Sequence, residues 1–566
     1  MLDTRWDAQR CLNLWQDWLD DAQRPRLLHL VALCAQVPSA KEVRVATQSH
    51  AVSCGLAEEL ARALWGLLPG FHRISLQGGQ FLLTLCIGPT QALLREQQFA
   101  ADAVVLDLGP ESEHTPVWDR WGLKSLARCC QRGAPVSLVG DASTMKPDLV
   151  QNGFVETEGA WQYNPPWQTR HNRDAWRSPP MDVARCTVVG AGLAGAAVAA
   201  ALARRGWQVT VLDAQESPAG GASGLPAGLL VAHVSADDSP RSRLARAGVR
   251  MMLAQAHDHL VRDQDWAPRG VVEHRLDGRS GLPLNWPAAE AQDWANLGAS
   301  DDLTASNAAQ ALHHKPAGWI KPAKMVQAWL ATPGVRFVGR AHVKGLTQEG
   351  AHWNVIDAQG RTLACAELVV LANAQAALPL LQAIDQEHPE YALQTSGLPA
   401  QTGMRGVVSW AIQCLGDDQA LPELPVNGQG SLIPHVPTAS GLSWYLGATY
   451  EDARHEAQTL AQHHASNLNK LVRLLPDVAQ HLAPRFASKE VQSWTGVRCV
   501  SDDRMPVVGA LQSGPQPNLW VSAAMGSRGL SFAYLCAELL AARLGAEPLP
   551  VEASLAASLL ATRQAK

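Results

Sequence analysis

The alternation of apolar and polar positions is most regular about a third of the way along the chain. Residues 186–189 and 208–212 are short and largely apolar, which is typical of buried strands. Between them, residues 196–203 are all Ala, Val or Leu, and this run favours a buried helix. The pattern therefore predicts a strand, a helix and a second strand in succession, which is the βαβ unit of a parallel sheet.

Glycines occupy the turn between the first of these strands and the helix. Gly190 permits a tight turn, Gly192 lets the backbone approach a pyrophosphate, and Gly195 lets helix and strand pack closely. The second strand ends on Asp213, 23 residues after Gly190, near the spacing of a carboxylate that binds a ribose hydroxyl. The free N–H groups at the start of the helix favour phosphate binding. Together these features predict a dinucleotide site; the alternative is that the glycines serve only a tight turn.

The first 160 residues alternate strand-like and amphipathic helical patterns. This alternation predicts an α/β doubly wound, Rossmann-like domain over 1–160. Prolines, arginines and tryptophans without periodicity follow, so 161–181 is predicted to be an interdomain linker. Alternatively, the arginines of this segment help to bind a polyanion. The strand candidates of the first domain are 28–33, 81–87, 103–107 and 135–139.

A second, larger domain is predicted over 182–566. An apolar strand at 368–374 is expected to return to the dinucleotide-binding sheet. Short alternating strands such as 335–339 and 406–410 indicate an antiparallel β-sheet that forms an inserted substrate subdomain. The inserted parts are expected roughly at 265–365 and 395–490.

The composition limits the classes of function. With 566 residues, 47% of them hydrophobic, the chain is long enough for two or more domains with large cores. The net charge of −5 gives no general affinity for nucleic acid, so such a site must be a local patch. The 11 scattered cysteines predict a reduced, cytoplasmic protein without structural disulfides or a metal. We expect no membrane span and no signal segment, because no apolar run has the required length.

Three further segments resemble the D-amino-acid-oxidase family of flavoproteins. The first, 220–224, is glycine-rich and follows the second strand; the second, 496–509, has the pattern G-x-R-x-x-x-x-D-x-x-P-x-x-G; the third is 524–530. The resemblance implies a Rossmann-type domain that binds FAD and carries an inserted antiparallel substrate sheet. It also implies which residues line the cofactor. These are Ala222, Ser223, Gly224, Gly228, Gly526, Gly529 and Leu530.

Two arginines in these segments suit a glycine-like substrate. Flavin oxidation of an amine needs no strong protein nucleophile, so the protein has chiefly to orient the substrate. A bidentate arginine is well suited to holding a carboxylate. The resemblance places Arg498 and Arg528 where related oxidases hold the substrate carboxylate; the alternative for each is a structural ion pair. Related oxidases also use a tyrosine here, and Ser431 replaces it in this chain.

The order of the two domains resembles the MnmC family of bifunctional tRNA-modifying enzymes. Segments that carry this resemblance include 204–210, 318–322, 405–409, 446–450 and 526–530. The resemblance implies that the second domain removes the carboxymethyl group from 5-carboxymethylaminomethyl-(2-thio)uridine at the tRNA wobble position, leaving aminomethyl-uridine and glyoxylate. It implies that the first domain then methylates the amine with S-adenosylmethionine. Expected partners are the tRNA anticodon loop and, functionally, the enzymes that install the carboxymethylaminomethyl group, and we expect a monomer.

The start of the first domain departs from the methyltransferase pattern of that family. The predicted helix at 12–18 follows residues 9–11, where the family has a glycine-rich turn and this chain has no glycine. The strand that precedes this turn is expected to lie upstream of Met1. An incorrectly chosen start codon would explain the missing strand.

Further departures lie after the next strands of the first domain. Cys34 follows the second strand where an acid should hold the cofactor ribose, and Gly88 is followed by Pro89 instead of Asp. Asp107 is retained in the catalytic loop. Because an S-adenosylmethionine site needs glycines and an acid on the ribose, these departures predict that methyl transfer is lost.

Several functions remain open at this point. The leading one is an oxidase of tRNA-borne carboxymethylaminomethyl-uridine with its first domain kept for docking or folding. The others are a fully bifunctional enzyme, a free glycine or sarcosine oxidase, and a catalytically silent RNA-binding protein. Tryptophans that would suit docking, although each is also a common core residue, are Trp15, Trp18, Trp118, Trp161 and Trp167. An RNA-binding cluster is expected to include Arg170, Arg173, Arg177, Arg204 and Arg205.

Overall fold

The computed structural model describes residues 1–46, 54–109, 118–167, 180–275, 282–283, 286, 288–297, 311–512 and 517–563. The chain divides into two units. The first contains Met1–Asp182 and Ala541–Ala557, and the second contains Val183–Leu540 and Ser558–Lys566. Each unit is built on a mixed α/β arrangement with a largely parallel sheet, which confirms the predicted fold class.

An eight-stranded sheet forms the centre of the first unit. All four strands predicted there are present, and helices lie between them in sequence. The strands are β1 (Leu2–Asp3), β2 (Leu28–Cys34), β3 (Gly70–Leu76), β4 (Phe81–Ile87), β5 (Val104–Asp107), β6 (Ala134–Val139), β7 (Phe154–Thr157) and β8 (Ala160–Tyr163). The helices are α1 (Ala8–Asp20), α2 (Ala40–Ala46), α3 (Cys54–Ala63), α4 (Thr90–Arg95), α5 (Arg120–Ala127) and α6 (Lys146–Gln151).

The order of strands in this sheet is β3-β4-β2-β1-β5-β6-β8-β7. Strands β4, β2, β1, β5 and β6 are parallel, and the outer strands run antiparallel to their neighbours. The winding of the chain reverses between β1 and β5, and doubly wound sheets bind ligands in the crevice at such a point. Asp3 ends β1 and Asp107 ends β5. Two carboxylates therefore stand at the carboxyl ends of the strands that flank the crevice.

The first strand of this sheet corrects one sequence prediction. It was expected upstream of Met1, but Leu2–Asp3 forms it and pairs in parallel with both β2 and β5. A strand of two residues is too short to produce a period-two pattern, so no pattern at residues 2–3 could indicate it.

The boundary of the first unit also differs from the prediction. Trp161–Tyr163, assigned to the start of the linker, belong to β8, which pairs with β6 and β7. The segment Ala541–Ala557, assigned to the second domain, also belongs to the first unit. Within it, the backbone carbonyl of Pro548 accepts a hydrogen bond of 2.6 Å from Arg73. Local patterns identify elements but give no signal for a segment that returns from the far end of the chain.

Most tryptophans proposed for docking are core residues. The exposed fractions of Trp15, Trp18, Trp118 and Trp161 lie between 0% and 9%, so their docking role is wrong. Their burial follows the usual preference of large aromatic side chains for a hydrophobic core. Only Trp167 of the five is substantially exposed, at 45%.

The second unit contains the strand–helix–strand sequence predicted around the glycines. Its strands are β9 (Arg185–Val189), β10 (Gln208–Leu212), β11 (Gly228–Leu230), β12 (Trp266–Ala267), β13 (Val271–His274), β14 (Ala295–Leu297), β15 (Ala311–His314), β16 (Gly318–Ile320), β17 (Val335–Val338), β18 (Gly345–Glu349), β19 (His352–Ile356), β20 (Thr362–Ala366), β21 (Leu368–Leu371), β22 (Gln401–Ile412), β23 (Val426–Gly428), β24 (Gly430–Thr438), β25 (Gly441–Gly447), β26 (Glu451–Asp452), β27 (Gln492–Ser501), β28 (Val507–Ala510) and β29 (Leu519–Ala523). Its helices are α7 (Leu193–Arg204), α8 (Pro240–His259), α9 (Ala288–Trp294), α10 (Pro322–Leu330), α11 (Ala377–Glu387), α12 (Asp417–Ala420), α13 (Leu460–Leu474), α14 (Pro476–Ala487) and α15 (Gly529–Leu544), and α16 (Ala553–Ala557) follows in the returning segment of the first unit.

A six-stranded sheet with order β17-β10-β9-β21-β29-β28 carries the dinucleotide fingerprint. The predicted return strand β21 pairs in parallel with β9, as expected. β17 corrects another prediction, because it pairs in parallel with β10 at the edge of this sheet and not within the antiparallel sheet. Its four residues are only partly covered, so their alternation resembles that of an antiparallel edge strand.

The predicted antiparallel sheet is present as a nine-stranded, largely antiparallel sheet with order β14-β15-β13-β23-β24-β25-β22-β26, in which β13 and β23 pair in parallel and β27 also pairs with β22. The long antiparallel pair β22–β27 brings residues 401–410 opposite residues 492–501. Two three-stranded sheets, β11-β16-β12 and β18-β19-β20, complete the unit. Among the described helices of the chain, none combines the length and apolar character that crossing a membrane requires.

Candidate functional site

The glycine turn of the second unit has the backbone geometry that a nucleotide cradle needs. Gly190 has a φ of +108°, and a Cβ there would lie 2.6 Å from the Ala372 carbonyl oxygen. A Cβ on Gly195 would collide with the carbonyl oxygen of Gly190. Only glycine therefore fits these two positions, and α7 begins close to the end of β9.

Asp213, predicted to bind a ribose hydroxyl, is hydrogen-bonded to backbone groups. One carboxylate oxygen accepts from the Ala191 N–H over 2.7 Å, and the other accepts from the Gln215 N–H over 2.8 Å. Asp213 thus ties the end of β10 to the glycine turn. Each oxygen keeps a second lone pair, so binding of a ribose hydroxyl stays a prediction.

The residues predicted after the second strand meet the start of α7. Ser223, in the turn Ala222–Gly224, accepts a hydrogen bond of 2.9 Å from the Leu193 N–H. A Cβ on Gly192 would lie 3.0 Å from the same hydroxyl oxygen. The Ser223 hydroxyl therefore lies against the helix N-terminus, where the fingerprint predicts the pyrophosphate.

The start of α15 lies beside the start of α7. A Cβ on Gly529 would be 3.4 Å from the Leu193 side chain, and a Cβ on Gly228 would be 3.0 Å from Leu530. The glycines leave space between two helix N-termini, whose N–H groups favour negative charge. Gly526, at a φ of +60°, forms the turn that enters α15. The space between the two helix starts suits the negatively charged pyrophosphate of a dinucleotide such as FAD, and which of these residues line that cofactor stays a prediction.

Arg498 on β27 is a half-buried arginine beside this second helix start. Its guanidinium carbon lies 5.7 Å from the centre of the Tyr450 ring, and one nitrogen donates to the Ser527 hydroxyl over 3.5 Å. Burial lowers the pKa of Arg498, and Tyr450 opposes that effect. Within the described residues, no carboxylate lies within salt-bridge distance of Arg498. A sheltered guanidinium without an acidic partner suits an anionic ligand.

Two neighbours of Arg498 were not predicted from the sequence. Tyr450 follows β25 and is half exposed, and Lys470 on α13 donates to the Ala448 carbonyl oxygen over 2.6 Å. Burial lowers the pKa of Lys470, and the charge of Arg498 lowers it further. An aromatic residue three positions after the end of an apolar strand is the signal that could have identified Tyr450. Ser431 lies on β24 and donates to the Gly447 carbonyl oxygen over 3.1 Å.

Arg528 lies at the end of the turn Gly526–Arg528 and has other neighbours. Burial lowers its pKa, the positive charge of Arg241 lowers it further, and Glu273 opposes this. No salt bridge to Arg528 occurs among the described residues. The structure thus gives Arg498 and Arg528 separate surroundings, and neither forms the alternative structural ion pair within the part of the chain described.

A histidine near Arg528 was also missed by sequence reasoning. His233 follows β11 and shares a hydrogen bond of 2.8 Å with the Ser242 hydroxyl. Burial, followed by the charges of Arg528 and Arg241, lowers the pKa of His233 to about 4. Its imidazole is therefore neutral at physiological pH. A lone histidine between apolar residues carries no pattern, and only the folded arrangement reveals its charged neighbours.

In the first unit, an arginine bridges the ends of the two strands between which the winding reverses. Arg10 on α1 donates to Asp3 over 3.0 Å and to Asp107 over 3.1 Å. It also donates to the Arg5 carbonyl oxygen over 2.6 Å. Both carboxylates are almost fully buried. Burial raises the pKa of Asp3, although Arg10 opposes this.

Asp107, which the family resemblance assigns to a methyltransferase catalytic loop, is held by several groups. Its second oxygen accepts from the Gly109 N–H over 2.9 Å, and Arg5 lies 3.7 Å away. At the end of β2, Cys34 is buried, and burial raises the pKa of its thiol. A neutral thiol cannot replace the carboxylate that would bind a cofactor ribose. Across the described residues, no group of three or more His, Cys, Asp or Glu could hold a metal.

The predicted RNA-binding arginine cluster is wrong where the structure describes it. Arg204 and Arg205 each lie 2.9 Å from Glu538, and their side chains are 14% and 6% exposed. They form an internal ion-pair network because the end of α7 packs against α15. Arg170, Arg173 and Arg177 lie outside the described residues.

Comparison with known proteins agrees with this geometry. A family model for FAD dependent oxidoreductases matches residues 185–543. The solved glycine oxidase of Geobacillus kaustophilus covers 68% of this chain and 100% of its own, with a TM-score of 0.51 and 19% identity. At that identity the match supports the fold alone.

Two relatives match almost the whole chain. The tRNA 5-methylaminomethyl-2-thiouridine biosynthesis bifunctional protein MnmC of Polaromonas naphthalenivorans is 46% identical over 569 residues, covering 97% of this chain and 87% of the relative. The protein of the same name from Albidiferax ferrireducens is 42% identical over 593 residues, covering 100% and 93%. The chain therefore belongs to the MnmC family of bifunctional tRNA-modifying proteins, and its second unit is an FAD-dependent oxidoreductase.

Proposed function

We propose that this chain oxidatively removes the carboxymethyl group from 5-carboxymethylaminomethyl-(2-thio)uridine at the tRNA wobble position. The products are aminomethyl-uridine and glyoxylate. The observation that carries the proposal is Arg498, half-buried beside the start of α15 and without an acidic partner among the described residues. Family membership supplies the tRNA substrate, and the unpaired arginine supplies the recognition of its carboxylate.

The residues of the second unit suit this reaction. Arg498 binds the carboxylate of the substrate through two parallel N–H donors, and partial burial strengthens that contact. A bound FAD would supply the acceptor for the hydride that leaves the carboxymethyl methylene carbon, the one between the amine nitrogen and the carboxylate. Water then hydrolyses the resulting imine. Arg528 is a second cation near the start of α15, and its positive charge adds to the attraction of the substrate carboxylate.

The remaining predicted residues support the cofactor and the edge of the site. Gly190, Gly192, Gly195 and Asp213 hold the pyrophosphate and ribose end of FAD, as the fingerprint implies. The cofactor-lining residues continue towards its ring. They are Ala222, Ser223, Gly224, Gly228, Gly526, Gly529 and Leu530. Ser431 lies at the tyrosine position of related oxidases, but its hydroxyl hydrogen is bonded to Gly447. We infer that Tyr450 supplies the aromatic contact at the carboxylate.

We further propose that the first unit does not transfer a methyl group. The support is the Arg10 side chain, which occupies the crevice and binds Asp107, the acid retained from the catalytic loop. S-adenosylmethionine would have to break those hydrogen bonds and would find Cys34 where an acid is needed. The alternative, a fully bifunctional enzyme, requires Arg10 to leave the crevice.

The cellular setting is also a proposal. We infer that the chain acts in the cytoplasm as a monomer and recognises the anticodon loop, which carries the wobble uridine. The enzymes that install the carboxymethylaminomethyl group must act before it, because their product is its substrate. The anticodon loop and the order of the enzymes both follow from the proposed substrate, a wobble uridine that already carries the carboxymethylaminomethyl group.

The deciding experiment is mass analysis of wobble nucleosides. Purified full-length chain loaded with FAD is incubated with tRNA bearing 5-carboxymethylaminomethyl-2-thiouridine, with and without S-adenosylmethionine. We expect aminomethyl-uridine and glyoxylate in both reactions and no methylaminomethyl-uridine in either. A methylated product would establish the bifunctional alternative. Unchanged tRNA together with rapid oxidation of free glycine or sarcosine would establish a free amine oxidase and overturn the proposal.

A further inference from the structure

An exposed tryptophan in the first unit is bracketed by two cations. Trp121, in the first turn of α5, is 53% exposed. The guanidinium carbon of Arg120 lies 4.7 Å from the centre of its ring, and the Lys124 ammonium lies 5.5 Å from it. We call these three residues the Trp121 surface. None of them belongs to the crevice or to the flavin site.

The position of Trp121 is fixed by the start of α5. Asp119 caps the helix by accepting hydrogen bonds from the N–H groups of Trp121 and Gly122, over 3.0 and 2.7 Å. Gln91 on α4 donates to the same carboxylate oxygen over 3.1 Å. The inward face of α5 is formed by Gly122, Leu123, Leu126 and Ala127. The backbone of Trp121 is therefore held at the capped helix start, while about half of its side chain remains exposed to solvent.

Charge distinguishes this helix from the chain as a whole. The chain carries a net charge of −5, yet α5 and its C-cap contain Arg120, Lys124 and Arg128 and no acid after Asp119. The negative charge of Asp119 faces the helix N-terminus, where it is bound by backbone N–H groups. A local excess of positive charge around an exposed aromatic ring is complementary to RNA.

We propose that the Trp121 surface binds an unpaired nucleotide of the substrate tRNA, with a base stacked on Trp121 and the adjoining phosphates at Arg120 and Lys124. Unpaired bases stack on exposed aromatic rings, and every base offers such a face. The surface lies at the start of α5, the helix that follows β5 in the chain, and the starts of such helices lie on the side of the sheet where these folds bind their ligands. The first unit thus keeps an RNA-binding face although its cofactor crevice is filled. This inference rests on the proposed tRNA substrate.

The test uses full-length, FAD-loaded protein and fluorescently labelled substrate tRNA. Binding is measured for wild type, Trp121→Ala, Trp121→Phe and Lys124→Ala at several salt concentrations. Trp167→Ala is the matched control, because Trp167 is also an exposed tryptophan of the first unit. We expect Trp121→Ala to weaken binding roughly 5- to 150-fold, as loss of one stacked base does, and Trp121→Phe to restore much of it. Lys124→Ala should reduce the slope of the logarithm of the tRNA binding constant against the logarithm of the salt concentration by the contribution of about one phosphate contact.

The kinetic readout separates binding from chemistry. Trp121→Ala should raise the KM for tRNA and leave the rate at saturating tRNA and the flavin content unchanged. Wild-type affinity in Trp121→Ala, or an equal loss in Trp167→Ala, would overturn the inference. Loss of self-association with unchanged tRNA affinity would assign the surface to protein contacts and overturn it as well. If wild type itself neither binds nor oxidises the tRNA, the proposed function fails first and this inference fails with it.

Discussion

Arg10 and Asp107 form a hydrogen bond of 3.1 Å that joins the start of α1 to the end of β5. The same guanidinium is 3.0 Å from Asp3 at the end of β1. The side chain thus bridges the two strands between which the sheet reverses its winding, in the crevice where ligands of such sheets bind. The ion pair with Arg10 gives Asp107 a structural role in this unit, so its presence does not by itself argue for methyl transfer.

Arg10→Ala should destabilise the first unit. Removing the guanidinium leaves Asp3 and Asp107 almost fully buried without Arg10, and because Asp107 keeps its contacts with the Gly109 N–H and Arg5 we expect a cost of about 1–3 kcal/mol. Burial already raises the pKa of Asp3. Without Arg10 that pKa rises further, so the folded state binds its proton more tightly than the unfolded state. The loss of stability should therefore be largest near pH 8 and shrink as the pH falls towards 4.

Thermal unfolding of wild type and Arg10→Ala across that pH range measures this effect. Arg26→Ala, which removes an exposed arginine of the same unit, is the control and should unfold like wild type. A constant difference between Arg10→Ala and wild type at every pH would show that the lost stability does not come from the carboxylates.

Gly406→Ala should disturb the carboxylate site without loss of FAD. Gly406 lies on β22, and a Cβ there would collide with the guanidinium of Arg498. The displaced guanidinium can no longer bind the substrate in the same place, so we expect kcat/KM to fall about tenfold or more. Steady-state oxidation of modified tRNA measures the loss, and the flavin absorbance reports cofactor content.

Gly403→Ala is the matched control on the same strand. Its new Cβ would approach the Val497 side chain at 3.0 Å and would not approach Arg498. It should retain most of the activity. Equal losses in the two variants would indicate that β22 itself is distorted, and would contradict the specific role of Gly406.

The strand–helix–strand unit around Gly190 could be predicted from the sequence because all of its parts are close together in the chain. Gly190, Gly195 and the strand that ends before Asp213 lie within one strand–helix–strand stretch, where each glycine answers a steric need of its neighbours. β1 was missed because a strand of two residues is too short to show an alternation of apolar and polar positions. β17 was assigned to the wrong sheet because the pattern of four partly covered residues does not indicate which strand they pair with.

The site residues that escaped prediction depend on long-range contacts. Arg10 meets Asp107 across a separation of 97 residues, and neither residue carries a signal for the other. Tyr450 approaches Arg498 only because β25, β22 and β27 are neighbours in the antiparallel sheet. Packing also reversed the expectation for Arg204, which was proposed for RNA but pairs with Glu538. Residue type alone does not distinguish a buried ion pair from a binding surface.

Arg498→Ala should nearly abolish oxidation of the tRNA substrate. The substrate carboxylate would lose a charge-assisted, bidentate partner in a sheltered site, which amounts to about 2–4 kcal/mol, or roughly 30- to 1,000-fold in kcat/KM. Arg498→Lys should retain only part of the wild-type kcat/KM, because an ammonium cannot form two parallel hydrogen bonds with the carboxylate. Arg336→Ala, an exposed arginine on β17, serves as the control. Wild-type kcat/KM in Arg498→Ala would remove this residue from the site.

His233→Gln should change how stability depends on pH. The pKa of His233 in the folded chain is about 4, lowered by burial and by Arg528 and Arg241 from an ordinary value of 6.5. Between these values the unfolded chain binds more protons than the folded one, so wild type loses stability as the pH falls from 6.5 to 4. Because glutamine does not titrate, the variant should lose less folding stability than wild type between pH 6.5 and pH 4.

Because His233 is partly in contact with solvent, we expect its titration to lower the free energy of unfolding of wild type by about 1–2 kcal/mol at pH 4. Chemical unfolding of both proteins at pH 7.5 and at pH 4 measures it; the difference at pH 7.5 reports lost packing, and its change at pH 4 reports titration. Arg528→Gln should act in the same direction in a protein that retains His233, because removing one positive neighbour eases protonation of the imidazole. Parallel pH dependences of all three proteins would contradict the positively charged surroundings that the structure assigns to His233, and with them the placement of Arg528 beside it.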